Sequence, residues 1–201
     1  AVGAQHAGRH LALLPSGILL ETVAGFFATL LAGGTYVCPP QALAGMGNPF
    51  RPDFALLARR IAEWRITSLI LVPELLAGLV AVLEASGERL PLLTLVAVGG
   101  ARTSPELIAR ARAVGLPVRQ GYGLTECGSV VALEDDGGDE PGSVGRPLDH
   151  IAATIAADGE VFLHGPMCLG ILGAEPPQLP FATGDIGRID ATGRLWIEGR
   201  K

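Results

Sequence analysis

Two rhythms of hydrophobic and polar positions divide the chain. Up to about residue 133, short continuous apolar runs alternate with stretches of helical period. Residues 10–14 read as a strand, and 20–32 as a helix stopped by Gly33-Gly34. Residues 35–38 form a short strand closed by Pro39-Pro40, and a glycine- and proline-rich loop runs on to Arg51. Behind Pro52-Asp53, the residues Phe54, Leu57, Ile61 and Trp64 recur at helical spacing. Residues 67–72 and 92–98 are continuous apolar strands of the kind buried on both faces, with a helix over 73–85 between them. Thr103 or Ser104 then caps a helix that has Pro105 at its first position and Glu106 in its first turn. Gly115 closes that helix, and 116–119 is the next strand.

Strands and helices alternating at this spacing imply βαβ units and a parallel sheet. Beyond Gly115 no further helical pattern occurs. Residues 128–133 read as a strand, and 134–142 as an acidic, solvated surface turn. Two hairpins follow: 151–156 with 160–164 around Ala157-Asp158-Gly159, and 186–190 with 194–198 around Ala191-Thr192-Gly193. The fold class is therefore α/β: a parallel-sheet α/β lobe over 1–133, then a small antiparallel β lobe over 134–201.

Composition narrows the function. The net charge of −5 offers no basic field for nucleic acid. No apolar run reaches the ~18 residues of a membrane span; 18–32 comes closest, and Glu21 and Thr22 interrupt it. No secretory signal is visible. Cys38, Cys127 and Cys168 lack metal-ligand spacing and read as reduced thiols in a cytoplasmic protein. Of 15 basic residues, only Lys201 is a lysine, so this chain cannot complete a mechanism that needs an internal one.

Candidate chemistry centres on Gln120-Gly121-Tyr122-Gly123-Leu124-Thr125-Glu126. Gly121 and Gly123 permit a sharp turn and close approach of a ligand. Tyr122 offers a face for stacking, Thr125 a hydroxyl for a phosphate oxygen, and Glu126 a hard oxygen for Mg²⁺. The plainer reading is a glycine-rich strand-to-loop turn with Tyr122 half-buried and Glu126 solvated. Gly99-Gly100-Ala101 ends the preceding strand, and ligands in parallel sheets bind at such carboxyl ends. The two stretches could wall one crevice. Asp185 of Thr183-Gly184-Asp185, on a tight turn, can accept hydrogen bonds from a ribose diol, although that triplet is commonly only a turn. Arg200 taken alone is a surface arginine.

In order along the chain, Gly99-Gly100-Ala101, Gly121 to Glu126, Gly159-Glu160 through Gly165, Thr183-Gly184-Asp185 and Gly199-Arg200-Lys201 resemble the adenylate-forming enzymes. These are the acyl- and aryl-CoA synthetases, peptide-synthetase adenylation domains and firefly luciferase. Leu13-Leu14-Pro15 and Leu31-Ala32-Gly33-Gly34 resemble the early part of the pattern. The resemblance implies that Tyr122 stacks on adenine and that Gly99, Gly100 and Ala101 line the adenine and acyl pocket. It implies that Thr125 meets the α-phosphate, Glu126 holds Mg²⁺, and Asp185 and Arg200 hold the ribose. The implied reaction is attack of a carboxylate, most like a fatty acid, on the α-phosphorus of ATP. Coenzyme A then forms the thioester. Cofactors and partners are thus ATP or AMP, Mg²⁺, coenzyme A and a small carboxylic acid.

The departures matter as much. Nothing matches the family's lysine-bearing phosphate loop, and its C-terminal domain begins just past the segment like Gly199-Arg200-Lys201. On this reading the chain is a fragment ending at the hinge, expected to be inactive alone and to self-associate through uncovered apolar surface. Ser16-Gly17-Ile18 stands where relatives have a His or aromatic residue near the acyl tunnel, and Ile171 where a Tyr is common. Two other readings stay open: an adenylation domain loading an amino or aryl acid onto a carrier protein, and a non-catalytic nucleotide-binding module.

Overall fold

The computed structural model describes residues 8–48, 50–135, 142–170, 172–173 and 176–201. Contacts divide the chain into two units, 1–119 and 120–201.

The first unit is built on parallel strands. β1 (Arg9–Leu11) pairs with β2 (Thr35–Val37) on one side and with β3 (Ser68–Leu71) on the other. β3 in turn pairs with β4 (Leu95–Val98). Every residue of β3 is buried, as its uninterrupted apolar run anticipates. The helices are α2 (Phe54–Glu63), α3 (Pro73–Ser86) and α4 (Pro105–Ala113), with α1 (Ala28–Leu31) at the end of a wider helical segment, Glu21–Phe27. Ser104 is the cap of α4: its hydroxyl accepts from Leu107 N–H at 3.2 Å, while Thr103 is buried. Asp53 caps α2 in the same way through Leu56 N–H at 2.8 Å.

Gly78 costs α3 about 1 kcal/mol relative to alanine. The Phe54 ring of α2 lies where its Cβ would stand, so the glycine is what lets the two helices close. Leu57, Ile61, Leu69, Leu71, Leu76, Leu79, Leu83 and Val96 fill the core between sheet and helices.

A polar network sits inside this unit. Glu21, fully buried, accepts from Tyr36 OH at 2.9 Å and from Leu14 N–H at 3.3 Å. It lies 3.2 Å from His10 Nε2, whose other ring nitrogen is 3.0 Å from Ser68 Oγ. Gly25 is required beside them, because a Cβ there would press on the Glu21 carboxylate and the imidazole. Burial first, then the Glu21 carboxylate, push the Tyr36 hydroxyl well above its ordinary range, so it remains a donor.

The second unit is antiparallel. β5 (Val118–Tyr122) carries the chain into it, and β6 (Ala132–Leu133) and β7 (Arg146–Pro147) follow, paired β5-β6-β7. A separate sheet runs β11-β10-β9-β8, from β8 (Ala152–Ile155), β9 (Glu160–His164), β10 (Phe181–Ile189) and β11 (Leu195–Arg200). Val131, Val144, Ile151, Val161, Leu163 and Leu195 form its core. Both expected hairpins are present, and the only helix past Gly115 among the described residues is the short turn Thr125–Cys127.

Three differences from the sequence reading have clear causes. The unit division falls within β5, ahead of residue 133, because β6 folds back onto the second half of β5. The strand expected over 128–133 shrinks to β6, because Gly128 and Ser129 take left-handed backbone at φ 71° and 97°. Glu134 is buried rather than solvated, accepting from Gln120 N–H at 2.7 Å; residues 136–141 of that turn lie outside the described residues. Among the described residues no helix is long and apolar enough to cross a membrane.

Two substitutions test this packing. Leu71→Ala, in a fully buried strand position, is expected to lower stability by about 2–5 kcal/mol in urea unfolding. Glu21→Ala strips acceptors from Tyr36 and Leu14, each stranded donor costing about 1–3 kcal/mol. Glu21→Gln, which keeps the oxygen, is expected to recover part of that loss in the same measurement.

Candidate functional site

β5 continues through Gly121, opposite Leu133, to Tyr122, opposite Ala132. The glycine-containing stretch read as a post-strand loop is therefore strand as far as the tyrosine. The turn comes after it. A Cβ on Gly123 would strike the carbonyl oxygen of Ser129, so only glycine fits where the chain folds back on itself.

Thr183-Gly184-Asp185 is likewise not a turn before the last hairpin but a bulge inside β10. Ala182 faces Phe162 and Ile186 faces Glu160, so four steps along β10 answer two along β9. Gly184 takes the left-handed backbone this requires, at φ 72°. Side chains replace the interrupted ladder. Thr183 OH donates to Val161 C=O at 2.8 Å and accepts from Asp185 N–H at 3.0 Å. Gly184 N–H donates to Glu160 Oε1 at 3.0 Å.

The bulge turns Asp185 toward β5. Tyr122 OH donates to Asp185 Oδ2 at 2.5 Å, and Arg200 Nε of β11, the register partner of Asp185, lies 3.6 Å from Oδ1. The carboxylate is nearly buried while the Arg200 side chain is 74% exposed. Burial first, then the hydrogen bond to Asp185, push the Tyr122 hydroxyl well above its ordinary range. A raised tyrosine stabilises the fold fully below the ordinary value near 10 and loses that contribution only as pH climbs through the raised value. The contact therefore holds throughout the neutral range. It leaves Asp185 with acceptor capacity on Oδ1, beside a guanidinium.

Thr125 and Glu126 open the short turn that follows, Thr125 exposed and Glu126 half-buried. Among the described residues neither side chain has a hydrogen-bond partner. No group of three His, Cys, Asp or Glu side chains suited to a metal occurs among them either. Mg²⁺ binds through one or two carboxylates together with phosphates and water. A single carboxylate such as Glu126 thus fits an ion that arrives with a nucleotide. Cys127, beside it, is buried with its sulfur 3.3 Å from Met167 Sδ. Its thiol is pushed up to about 11, mainly by burial, so it is no nucleophile near neutral pH.

Gly99, Gly100 and Ala101 belong to the first unit, at the carboxyl end of β4, where Gly99 N–H reaches Leu71 C=O at 3.2 Å and Gly100 has φ 82°. Ile171 lies outside the described residues. Sequence reasoning passed over Thr183, Glu160 and Asp158 as site-shaping residues. The Thr-Gly-Asp triplet and the Gly159-Glu160 pair were visible, but their pairing across strands was not.

The sequence profile described as AMP-binding enzyme matches residues 2–169. The chain is 35% identical over 153 residues to the 2-succinylbenzoate–CoA ligase of Lactococcus lactis, covering 72% of this chain and 33% of that one. It is 30% identical over 205 residues to the long-chain-fatty-acid–CoA ligase of Thermus thermophilus, covering 87% and 36%. It thus spans about a third of the length of these relatives. The O-succinylbenzoate coenzyme A synthetase of Bacillus subtilis, solved in complex with AMP, has the same fold: TM-score 0.78, 24% identity, 98% of this chain and 42% of that one. With a profile match over most of its length and the fold of such a synthetase, the chain belongs to the AMP-binding enzyme family.

Proposed function

We propose that this chain supplies the nucleotide-binding part of an acid–CoA ligase that activates a carboxylic acid with ATP and passes the acyl group to coenzyme A. The observation that carries the reading is the Tyr122–Asp185–Arg200 contact, which sets an aromatic ring, a carboxylate and a guanidinium side by side. Tyr122 presents its ring to adenine, while Asp185 Oδ1 accepts from the ribose hydroxyls with Arg200 alongside. Thr125 donates to an α-phosphate oxygen. Glu126 holds Mg²⁺, which when bound screens the phosphate charges. Gly121 and Gly123 keep the backbone low around the nucleotide, and the adenine- and acyl-pocket role of Gly99, Gly100 and Ala101 rests on the family resemblance. The acid's carboxylate attacks the α-phosphorus and pyrophosphate leaves; the thiol of coenzyme A then attacks the acyl carbonyl and AMP leaves.

The acid is proposed to be apolar, a fatty acid first. Ile18 stands 44% exposed near the start of the helical segment. The named relatives act on both a fatty and an aryl acid. Exposed Phe27, Leu30 and Leu31 support self-association of the chain. A second reading, nucleotide binding without catalysis by this chain alone, has its own observation: the single lysine is engaged by Asp158 and Glu160 rather than presented to a phosphate.

Asp185→Ala is expected to weaken AMP binding about tenfold to a hundredfold in titration calorimetry, since each charge-assisted bond carries about 1.5–3 kcal/mol. Unchanged affinity would remove Asp185 from the site. The purified chain, given ATP, Mg²⁺ and a mixed acid pool, is expected to release no pyrophosphate, because charge must be stabilised where it develops. Sustained release that vanishes in Glu126→Gln would show that residues 1–201 suffice.

A further inference from the structure

Gly159-Glu160 and Lys201 have no part in the proposed nucleotide contacts, yet they form a closely bonded cluster in the second unit. Lys201 Nζ donates to Asp158 Oδ2 at 2.6 Å and to Glu160 Oε2 at 2.8 Å. Its backbone N–H donates to Gly184 C=O at 2.7 Å. The other oxygen of Glu160 accepts from Gly184 N–H at 3.0 Å. One peptide unit on each side of Gly184 is therefore gripped, the N–H side by Glu160 and the C=O side by Lys201. Lys201 and Glu160 are bonded to each other, which closes the ring. Gly159, at φ 86°, makes the tight turn between the two acids.

Gly184 is the residue that needs such a grip. It is the left-handed point of the bulge, and it immediately precedes Asp185. Lys201 immediately follows Arg200. The ring thus holds the neighbours of both members of the Asp185–Arg200 pair without touching either side chain. All three charges persist near neutral pH: hydrogen bonds to Lys201 lower Asp158 and Glu160, and those acids raise Lys201.

Resting on the ribose reading of Asp185, we propose that Lys201, with Glu160 and Asp158, is a positioning residue. The ring it closes around the Gly184 peptide sets Asp185 and Arg200 for the two hydroxyls of a ribose. The only lysine of the chain then acts at the sugar, through the backbone, and not on phosphate.

The test compares AMP with 2′,3′-dideoxy-AMP on the full-length protein by titration calorimetry. Wild type is expected to prefer AMP by about tenfold or more. In Lys201→Met that preference is expected to fall about fivefold or more, with affinity for the dideoxynucleotide unchanged, and Lys201→Arg is expected to restore most of it. Glu160→Gln, which keeps an oxygen for Gly184 N–H but removes the charge that holds Lys201, should move the same way and carries the test if Lys201→Met does not fold. Equal preference in wild type and both variants overturns the positioning role and leaves Asp185 as the ribose acceptor. Parallel loss of both nucleotides without rescue by arginine also overturns it, as the mark of general damage. No preference in wild type sinks the ribose reading, and this proposal with it.

Discussion

The hydrogen bond from Tyr122 to Asp185 joins segments 63 residues apart, and the candidate site exists because both ends of it are held. The tyrosine is delivered by a strand whose last two residues are paired with β6. The aspartate is delivered by a bulge whose backbone groups are satisfied one by one by Thr183 and Glu160. A carboxylate this deeply buried is costly unless it is bonded. The phenol and the guanidinium meet that cost from within the second unit, so the carboxylate is held in one orientation. Orientation in advance spares a ligand part of the ordering cost of binding.

The first unit shows the same economy in another form. His10, Glu21, Tyr36 and Ser68 place four polar side chains beneath the sheet, and each is bonded to another of the set. A network of this kind is sensitive to the loss of any member, because the remaining partners cannot turn to water. Glu21 looks in the sequence like an interruption of an apolar run. In the structure it is the acceptor on which that run is arranged.

Features governed by neighbours in sequence were legible from sequence. The α2 periodicity, the Ser104 cap, the buried β3 and β4 runs and both hairpin turns depend on local propensity and on the period of apolar residues. Partnership across strands was not legible. Gly184-Asp185 has the chemistry of a turn, and only its pairing with β9 and β11 makes it a bulge. Glu134 has the composition of a solvated loop, and only the backbone of Gln120 makes it buried. The roles assigned to Tyr122 and Asp185 came from motif order; their direct bond did not follow from any spacing in the chain.

The arithmetic of the bulge also bears on how this strand can change length. Side chains on a strand alternate between faces with period two. The excursion at 183–185 adds an even number of residues relative to β9, so Thr183, Asp185 and Gly187 all remain buried. Losing a single residue there would exchange the faces of everything on one side of the gap. Losing two would abolish the excursion and restore a plain ladder without disturbing the core. Insertions and deletions at this point of the gene are thus constrained by parity as much as by size. A variant of this strand could shed the bulge whole, but not by halves.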